Sequence, residues 1–299
     1  MLRPGMLLLL LALQVAQSGW AHEGPLRVLL SNDDGYDAAG LVAVREALQA
    51  AGYAVTVVAP LSQQSGSGVR ITLGEIAIAQ HGHDTWSVDG SPADSTSYAI
   101  STLLAARLPD IVVSGANLGQ NLGANVVSSG TVGAAVMAVQ LGVPAIAVSV
   151  GLDLAEARAT PTRFPSTVAA YPLAGQMVAR LIGRLAAHAD GGPLLPPDTL
   201  LNLNVPARSR EALAGVRLAP LGRHGGFRMT YGKKPGEPRM SSGIEIDAAG
   251  LTDGECDTAL FAQGYATLSL LRPDWNAATE ASARVAPLLG ELESLRSAP

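Results

Sequence analysis

The sequence predicts an α/β protein: a Rossmann-like, doubly wound and mostly parallel sheet, followed by a C-terminal extended arm or hairpin. Three observations lead there. Between residues 26 and 150, short apolar runs alternate with stretches of helical spacing, as parallel strands do when crossover helices join them. The runs are near-continuous rather than alternating, which is how strands covered on both faces read. The first run, Leu26-Arg27-Val28-Leu29-Leu30-Ser31, stops abruptly at Asn32-Asp33-Asp34-Gly35, and the carboxyl edge of a strand is where open α/β sheets place their ligands.

The elements follow in order. Leu41, Val44, Leu48 and Ala51 recur at helical spacing, and residues 53–59 form a second strand closed by Pro60. A polar loop covers 61–68, residues 69–80 alternate like an arm of an antiparallel hairpin, Trp86-Ser87-Val88 is short and extended, and 92–106 reads as a helix. Residues 110–114 are the next strand. The stretch 115–130 is rich in Gly and Asn with little apolar periodicity, and a loop of that length in a compact domain usually has a function. An alanine-rich helix starts near Ser129, 143–150 is a buried strand, 164–188 a long helix, and 200–205 a strand ended by Pro206, which essentially completes the sheet. Residues 222–254 hold Gly, Lys, Arg and Met but few apolar pairs, so they form an excursion: a surface loop, or an arm that pairs with a second subunit. A strand at 264–271 and a helix at 277–295 close the chain.

Composition excludes several classes. Residues 1–21 combine Arg3, an apolar stretch from 6 to 16 and the small-residue exit Gly19-Trp20-Ala21, the pattern of a Sec-type signal peptide cleaved after Ala21. That stretch is too short to span a bilayer comfortably, so the expectation is a periplasmic or secreted protein with no membrane contact after cleavage. An uncleaved anchor, or a cytoplasmic protein behind a misplaced start, are the alternatives. Residues 22–299 then make one domain. Dropping the leader removes one of 20 basic residues, leaving 19 against 25 acidic ones and a net charge of −6, with the basic residues scattered. That excludes a groove for duplex nucleic acid. Hydrophobic content of 48% with 4% aromatic means a core of Ala, Val, Leu and Ile. Cys256 is the single cysteine, so there is no internal disulfide, and it reads as an apolar filler.

Three loops that follow strands bring oxygen ligands to one edge. Asp33 and Asp34 supply charge; Ser65, in Gln64-Ser65-Gly66, follows the second strand; Asn117, in Ser114-Gly115-Ala116-Asn117, follows the strand at 110. Neighbouring carboxylates repel and lose hydration there, and hard oxygen donors suit Mg²⁺ or Mn²⁺. For the acids alone, an Asx turn on the surface explains the pattern equally well. Ser128-Ser129-Gly130-Thr131 stands where a helix begins, and helix N-termini bind phosphate, although Ser or Thr there is also an ordinary N-cap.

These residues, with Ser31-Asn32 before the acids, Val58-Ala59-Pro60, Pro109-Asp110-Ile111-Val112-Val113-Ser114-Gly115, Asn121-Leu122-Gly123 and Gly264-Tyr265, resemble the SurE nucleotidases in order, over roughly 26–271. The resemblance implies a metal-dependent phosphomonoesterase that cleaves nucleoside 5′- and 3′-monophosphates to nucleoside and phosphate. It also implies one Mg²⁺ or Mn²⁺ per subunit, and a homodimer or dimer of dimers built through an exchanged C-terminal arm. By position, Asp33, Asp34, Ser65 and Asn117 match metal ligands. Asn32, Asn121, Ser129, Gly130 and Thr131 match residues around the phosphate, with Asp33, Asn121, Ser129 and Thr131 implied in catalysis.

The chain departs from the family pattern at two places. Ala38-Ala39-Gly40 lacks the usual proline, and Asp89-Gly90-Ser91-Pro92-Ala93-Asp94 carries Ser where the family has Thr; neither change removes a ligand. His81 and His83 read as surface imidazoles rather than metal ligands, and Lys233-Lys234 as a solvated turn. His224, beside Arg223 and Arg228, either lines the excursion or approaches substrate. Two other readings stay open: a HAD-like phosphatase, against which the adjacency of the two acids speaks, and a periplasmic nucleotide-binding module without turnover.

Overall fold

The computed structural model describes residues 24–159, 164–233, 236, 239–246, 251, 254–274 and 276. The expected leader at 1–21 and closing helix at 277–295 lie outside the described residues, as does Lys234. Strand β1 (Arg27–Ser31) is followed by helix α1 (Ala39–Ala50), β2 (Ala54–Pro60), β3 (Ile78–Gln80), β4 (Thr85–Val88) and α2 (Pro92–Tyr98), which runs on as a π-helical segment Ala99–Leu103. Next come β5 (Ile111–Leu118), a 3-10 segment Gly123–Ser128, α3 (Gly130–Gln140), β6 (Ala145–Val150), α4 (Leu154–Ala159), α5 (Pro165–His188) and β7 (Leu200–Val205). The remainder is β8 (Gly215–Leu218), β9 (Phe227–Lys233), β10 (Met240–Ile246), α6 (Asp257–Ala262) and β11 (Tyr265–Leu271).

One sheet holds nine strands in the order β3-β4-β2-β1-β5-β6-β7-β11-β8. The pairs from β4 to β7 are parallel, while β3 on β4 and β11 on β7 are antiparallel. The sheet is therefore not complete at β7: β11 and the edge strand β8 extend it. Residues 69–77, expected as hairpin arm, form no strand, and only Ile78–Gln80 pairs with β4. The excursion is a hairpin of its own, β9 on β10, registered from Phe227↔Ile246 to Lys233↔Met240.

Period-2 alternation in the strands sends successive side chains to opposite faces, and helices cover both. Val28 and Leu30 pack with Leu41, Val44 and Leu48 of α1 and Ala174, Val178 and Ile182 of α5; Leu29, Val58 and Val112 pack with Val132, Ala135 and Val139 of α3. The apolar residues of α1 and α5 recur at three and four, which makes each amphipathic. By contrast α3 is buried on nearly every residue, as its Ala/Val/Gly composition requires. Because β2 lies on one side of β1 and β5 on the other, the sheet reverses its winding between β1 and β5, which opens a crevice at their carboxyl ends. At the opposite end Asp110 fastens the two strands, accepting from Arg27 N (2.7 Å) and Arg27 Nη2 (2.8 Å).

The residues at both local departures have defined packing. A Cβ on Gly40 would stand 2.0 Å from the carbonyl oxygen of Ala116 and 3.0 Å from the Tyr171 ring, so α1 can approach the end of β5 only through glycine. Ser91 caps α2 as threonine would: its Oγ accepts from Asp94 N (3.0 Å), and Asp94 Oδ2 accepts from Ser91 N (2.8 Å), a reciprocal capping box.

Asp94 also accepts from Thr72 N and Thr72 Oγ1. Burial works against its charge, yet the hydrogen bonds from Thr72 and Ser91 outweigh it and hold the carboxyl below its ordinary range. A depressed folded-state pKa contributes stability that is present above the unfolded value, about pH 4, and is lost as pH falls through the folded one. Asp94→Ala is therefore expected to cost about 2 kcal/mol at pH 7 in urea unfolding. Asp94→Asn is expected to flatten the fall in stability below pH 4.

Candidate active site

The pairing of β1 with β5 runs from Val28↔Ile111 to Ser31↔Ser114, so the loops that follow both strands open side by side. Asn32 shapes the first. Its Nδ2 donates to the carbonyl of Gly35 (2.8 Å) and its Oδ1 accepts from Gly35 N (3.2 Å), an Asx turn that leaves the strand direction. That amide is fully buried; the turn uses one of its two Nδ2 hydrogens and presents the two acids.

Asp34 reaches across the crevice, where its Oδ2 accepts from Leu118 N at the end of β5 (2.9 Å). Its Oδ1 accepts from Gln63 Nε2 (2.9 Å), and Gln63 Oε1 in turn accepts from Ser65 N (2.6 Å). One amide side chain thus joins the Ser65 loop to the acid pair, while Gln64 N donates to the Asp33 carbonyl (2.7 Å). Asn117 donates Nδ2 to the carbonyl of Gly119 (2.7 Å), and its buried Oδ1 has no hydrogen-bond partner. The structure therefore places Asp33, Asp34, Asn117 and the Ser65 loop at one sheet edge.

Asp33 is 2% exposed, and burial pushes its carboxyl up to about 6, with the Asp34 charge adding to the shift and a hydrogen bond from Thr131 opposing it. Burial raises Asp34 as well. Two desolvated acids beside an amide oxygen that lacks a donor form an oxygen-rich site short of positive charge. This donor set fits a hard divalent cation. Among the described residues no group of three or more His, Cys, Asp or Glu could hold a metal ion, so a site here completes its shell with neutral oxygen donors, side-chain, backbone or water.

Opposite stands the start of α3. Ser129 is its N-cap, accepting from Val132 N (3.1 Å), so that hydroxyl serves the helix. Thr131 donates its single O–H to Asp33 Oδ1 (2.5 Å), which makes it the residue that orients the acid. A Cβ on Gly130 would stand 2.7 Å from Ser67 Oγ and 2.9 Å from Asp33 Oδ2; only glycine lets the helix start lie this close to the carboxylate.

Asn121 aims Nδ2 at Ser149 Oγ (2.9 Å) and Thr131 Oγ1 (3.5 Å). Its backbone is held by residues that the sequence reading passed over. Asn204 Oδ1 accepts from Asn121 N (2.7 Å), and Asn204 Nδ2 and Asn202 Nδ2 both donate to the Asn121 carbonyl (3.0 and 2.9 Å). Both asparagines are fully buried on β7, at alternate positions of Leu-Asn-Leu-Asn-Val. Two amides on one face of a buried strand were the available signal, since such groups need partners. Gln63 gave no signal.

The other candidates do not gather here. His81 stacks on Tyr36 and meets Ser87 Oγ, while His83 pairs with Asp84. The His224 backbone packs against Gly123, and Cys256 is buried against Gly222.

Asn204→Ala is expected to weaken binding of inorganic phosphate about tenfold in calorimetry, a loss on the order of 1.4 kcal/mol, with Mn²⁺ affinity within threefold of wild type. For Asp33→Asn the expected change is a gain in stability of the metal-stripped protein at pH 8. An acid whose folded pKa is raised costs stability once pH climbs through 4 to 6, and the amide escapes this, about 2 kcal/mol by thermal unfolding.

The family model of the survival protein SurE matches residues 28–226. The chain is 41% identical to the 5′-nucleotidase SurE of Gemmatimonas aurantiaca over 199 residues, covering 66% of this chain and 73% of that protein. It is 42% identical to the 5′-nucleotidase SurE of Stenotrophomonas maltophilia (strain R551-3) over 198 residues, covering 66% and 70%. Among solved structures, the SurE protein from Aquifex aeolicus aligns with a TM-score of 0.70 at 27% identity, over 89% of this chain and 99% of that one. With the family model spanning the acid pair, the Asn117 strand and the α3 start together, the chain belongs to the SurE family.

Proposed function

We propose that the protein is a divalent-metal-dependent phosphomonoesterase that hydrolyses nucleoside 5′- and 3′-monophosphates to nucleoside and phosphate. The observation that carries this reading is the desolvated Asp33-Asp34 pair facing a helix start across a gap closed only by glycine. Relatives at about 40% identity bear the name 5′-nucleotidase, which supports the substrate class. The adjacency of the acids does not match the HAD arrangement, in which nucleophile and acid stand two positions apart.

Asp33, Asp34, Asn117 and Ser65 are the residues that would hold one Mg²⁺ or Mn²⁺ per subunit. Bound there, a divalent cation supplies Lewis-acid neutralisation of phosphoryl charge and activation of the nucleophile. The chain's own groups do the rest. The α3 start, at Ser129, Gly130 and Thr131, directs its dipole at the phosphoryl oxygens, and Asn121, whose Nδ2 donates to Thr131 and Ser149, braces that start from the facing loop. Asp33, held in place by Thr131, is the group that takes the proton from the attacking water. Among the described residues β9 and β10 pair with no other strand, and Tyr231 is 67% exposed on them, as suits an arm exchanged between two copies.

Release of inorganic phosphate from AMP in the presence of Mn²⁺, abolished by EDTA and reduced at least 100-fold in Asp33→Asn at saturating Mn²⁺, is the expected result. Stoichiometric AMP binding without phosphate release would make the protein a binding module and defeat the reading; full turnover by Asp33→Asn would remove Asp33 as the base.

A further inference from the structure

The Ser65 loop, residues 61–68, leaves β2 beside the acid pair and ends against the start of α3, where Gly68 N donates to the Ser128 carbonyl (3.1 Å). Leu61, Ser62, Gln63, Ser65 and Gly66 are exposed, so burial does little to fix the middle of the loop. A side chain does it instead. Ser65 N donates to Gln63 Oε1 (2.6 Å), and Gln63 Nε2 donates to Asp34 Oδ1 (2.9 Å). The partners decide which end of the amide faces which way, because a backbone N–H needs the amide oxygen and a carboxylate needs the amide nitrogen.

Asp34 is held from two sides by this arrangement. Leu118 N, at the end of β5, donates to its Oδ2 (2.9 Å) and Gln63 to its Oδ1, so one donor on each oxygen sets the plane of the carboxylate. An ionised carboxylate offers about four acceptor positions, and those two donors leave one on each oxygen for a cation. Gln63 therefore orients a ligand on the loop after β1 and, through the same amide, the backbone that carries a ligand on the loop after β2. We infer that Gln63 is a positioning residue for the metal: it joins Asp34 and Ser65 into half of a coordination shell that is in place before the cation arrives. The inference rests on the metal-dependent reading above and names a residue, outside the ligand set, that controls metal affinity.

The role asks for this side chain in particular. Glutamate would still accept from Ser65 N but would set a third carboxylate against Asp34, and asparagine is one methylene shorter across the same two contacts. A preformed shell avoids the ordering cost that a flexible loop would otherwise meet on binding, and partners that orient metal ligands carry roughly 10–100-fold in affinity. Because Gln63 is exposed, its replacement opens no cavity in the core, and its effect on the metal can be read apart from any effect on the fold.

Gln63→Met keeps the length of the side chain and removes both hydrogen bonds. The measurement is calorimetric binding of Mn²⁺ to the full chain, with thermal unfolding of the metal-stripped protein alongside. The expected result is a Kd for Mn²⁺ raised about tenfold or more, with Tm within about 2 °C of wild type. A double-mutant cycle then tests the bridge itself: with the Ser65 hydroxyl gone, ordering its loop gains the cation less, so Gln63→Met is expected to cost fewer fold in a Ser65→Ala background than in wild type. A Kd raised by less than about threefold overturns the inference, as does a rise that comes with a Tm lowered beyond that margin or an equal penalty in the two backgrounds. Tight Mn²⁺ binding by wild type and Gln63→Met alike leaves the metal-dependent reading standing and overturns the inference alone. A wild type that binds no Mn²⁺ defeats both.

Discussion

Two carboxylates on consecutive residues, taken out of water at the end of a buried strand, repel each other and lose hydration that no near neighbour fully restores. The surroundings of Asp33 and Asp34 are organised around that cost. Thr131 gives one hydroxyl to Asp33; Leu118 N and Gln63 give two donors to Asp34; and the remaining deficit keeps Asp33 near pH 6. Removing the charge would be the simplest way to stabilise the fold. The pair persists at a stability cost, which is the common signature of a site organised for function rather than for folding.

The topology explains why this cost is tolerable. Winding reverses between β1 and β5 and leaves a crevice at their ends, while both faces of the sheet beneath are sealed by α1 and α5 on one side and α3 on the other. The core can then be continuous up to Ser31 and Ser114 and stop there. Glycine at 40 and 130 lets α1 and α3 close on the crevice from opposite sides to within contact distance of the Ala116 backbone and of Asp33. Any side chain at either position would force the helix back, and the site would open.

Much of this was legible in the sequence because it is local. Apolar runs, helical spacing, the strand-ending acids and the serine before α3 each announce themselves within ten residues. What the sequence concealed depends on long-range partners. Asn202 and Asn204 act on Asn121 from more than 80 positions away, and a strand reading marks them only as polar residues in an apolar run. Asn32 is the local counterpart: its hydrogen bonds reach only three residues, to Gly35, and shape the turn that carries the acids. The short edge strand β8 and helix α4 carry too few residues for periodicity to register, and 69–77 alternates in hydrophobicity without finding a strand to pair with.

The loop from 119 to 128 connects these parts, and hydrogen bonds to three other elements hold it. Asn204 and Asn202 grip its backbone at residue 121, Asp257 Oδ2 accepts from Gly123 N (2.9 Å), and Asn125 Nδ2 donates to the Phe227 carbonyl (3.2 Å). Asp257 Oδ1 also accepts from Gly222 N (2.8 Å), so one buried carboxylate ties the loop, the base of the β9–β10 hairpin and the start of α6 together. A stretch of Gly and Asn without apolar periodicity would be mobile if left to itself. Here its backbone groups find partners on β7 and α6 and its Asn125 side chain reaches β9, and this is what allows a nominally irregular segment to hold Asn121 against the phosphate side while its neighbours form a cavity wall on the other.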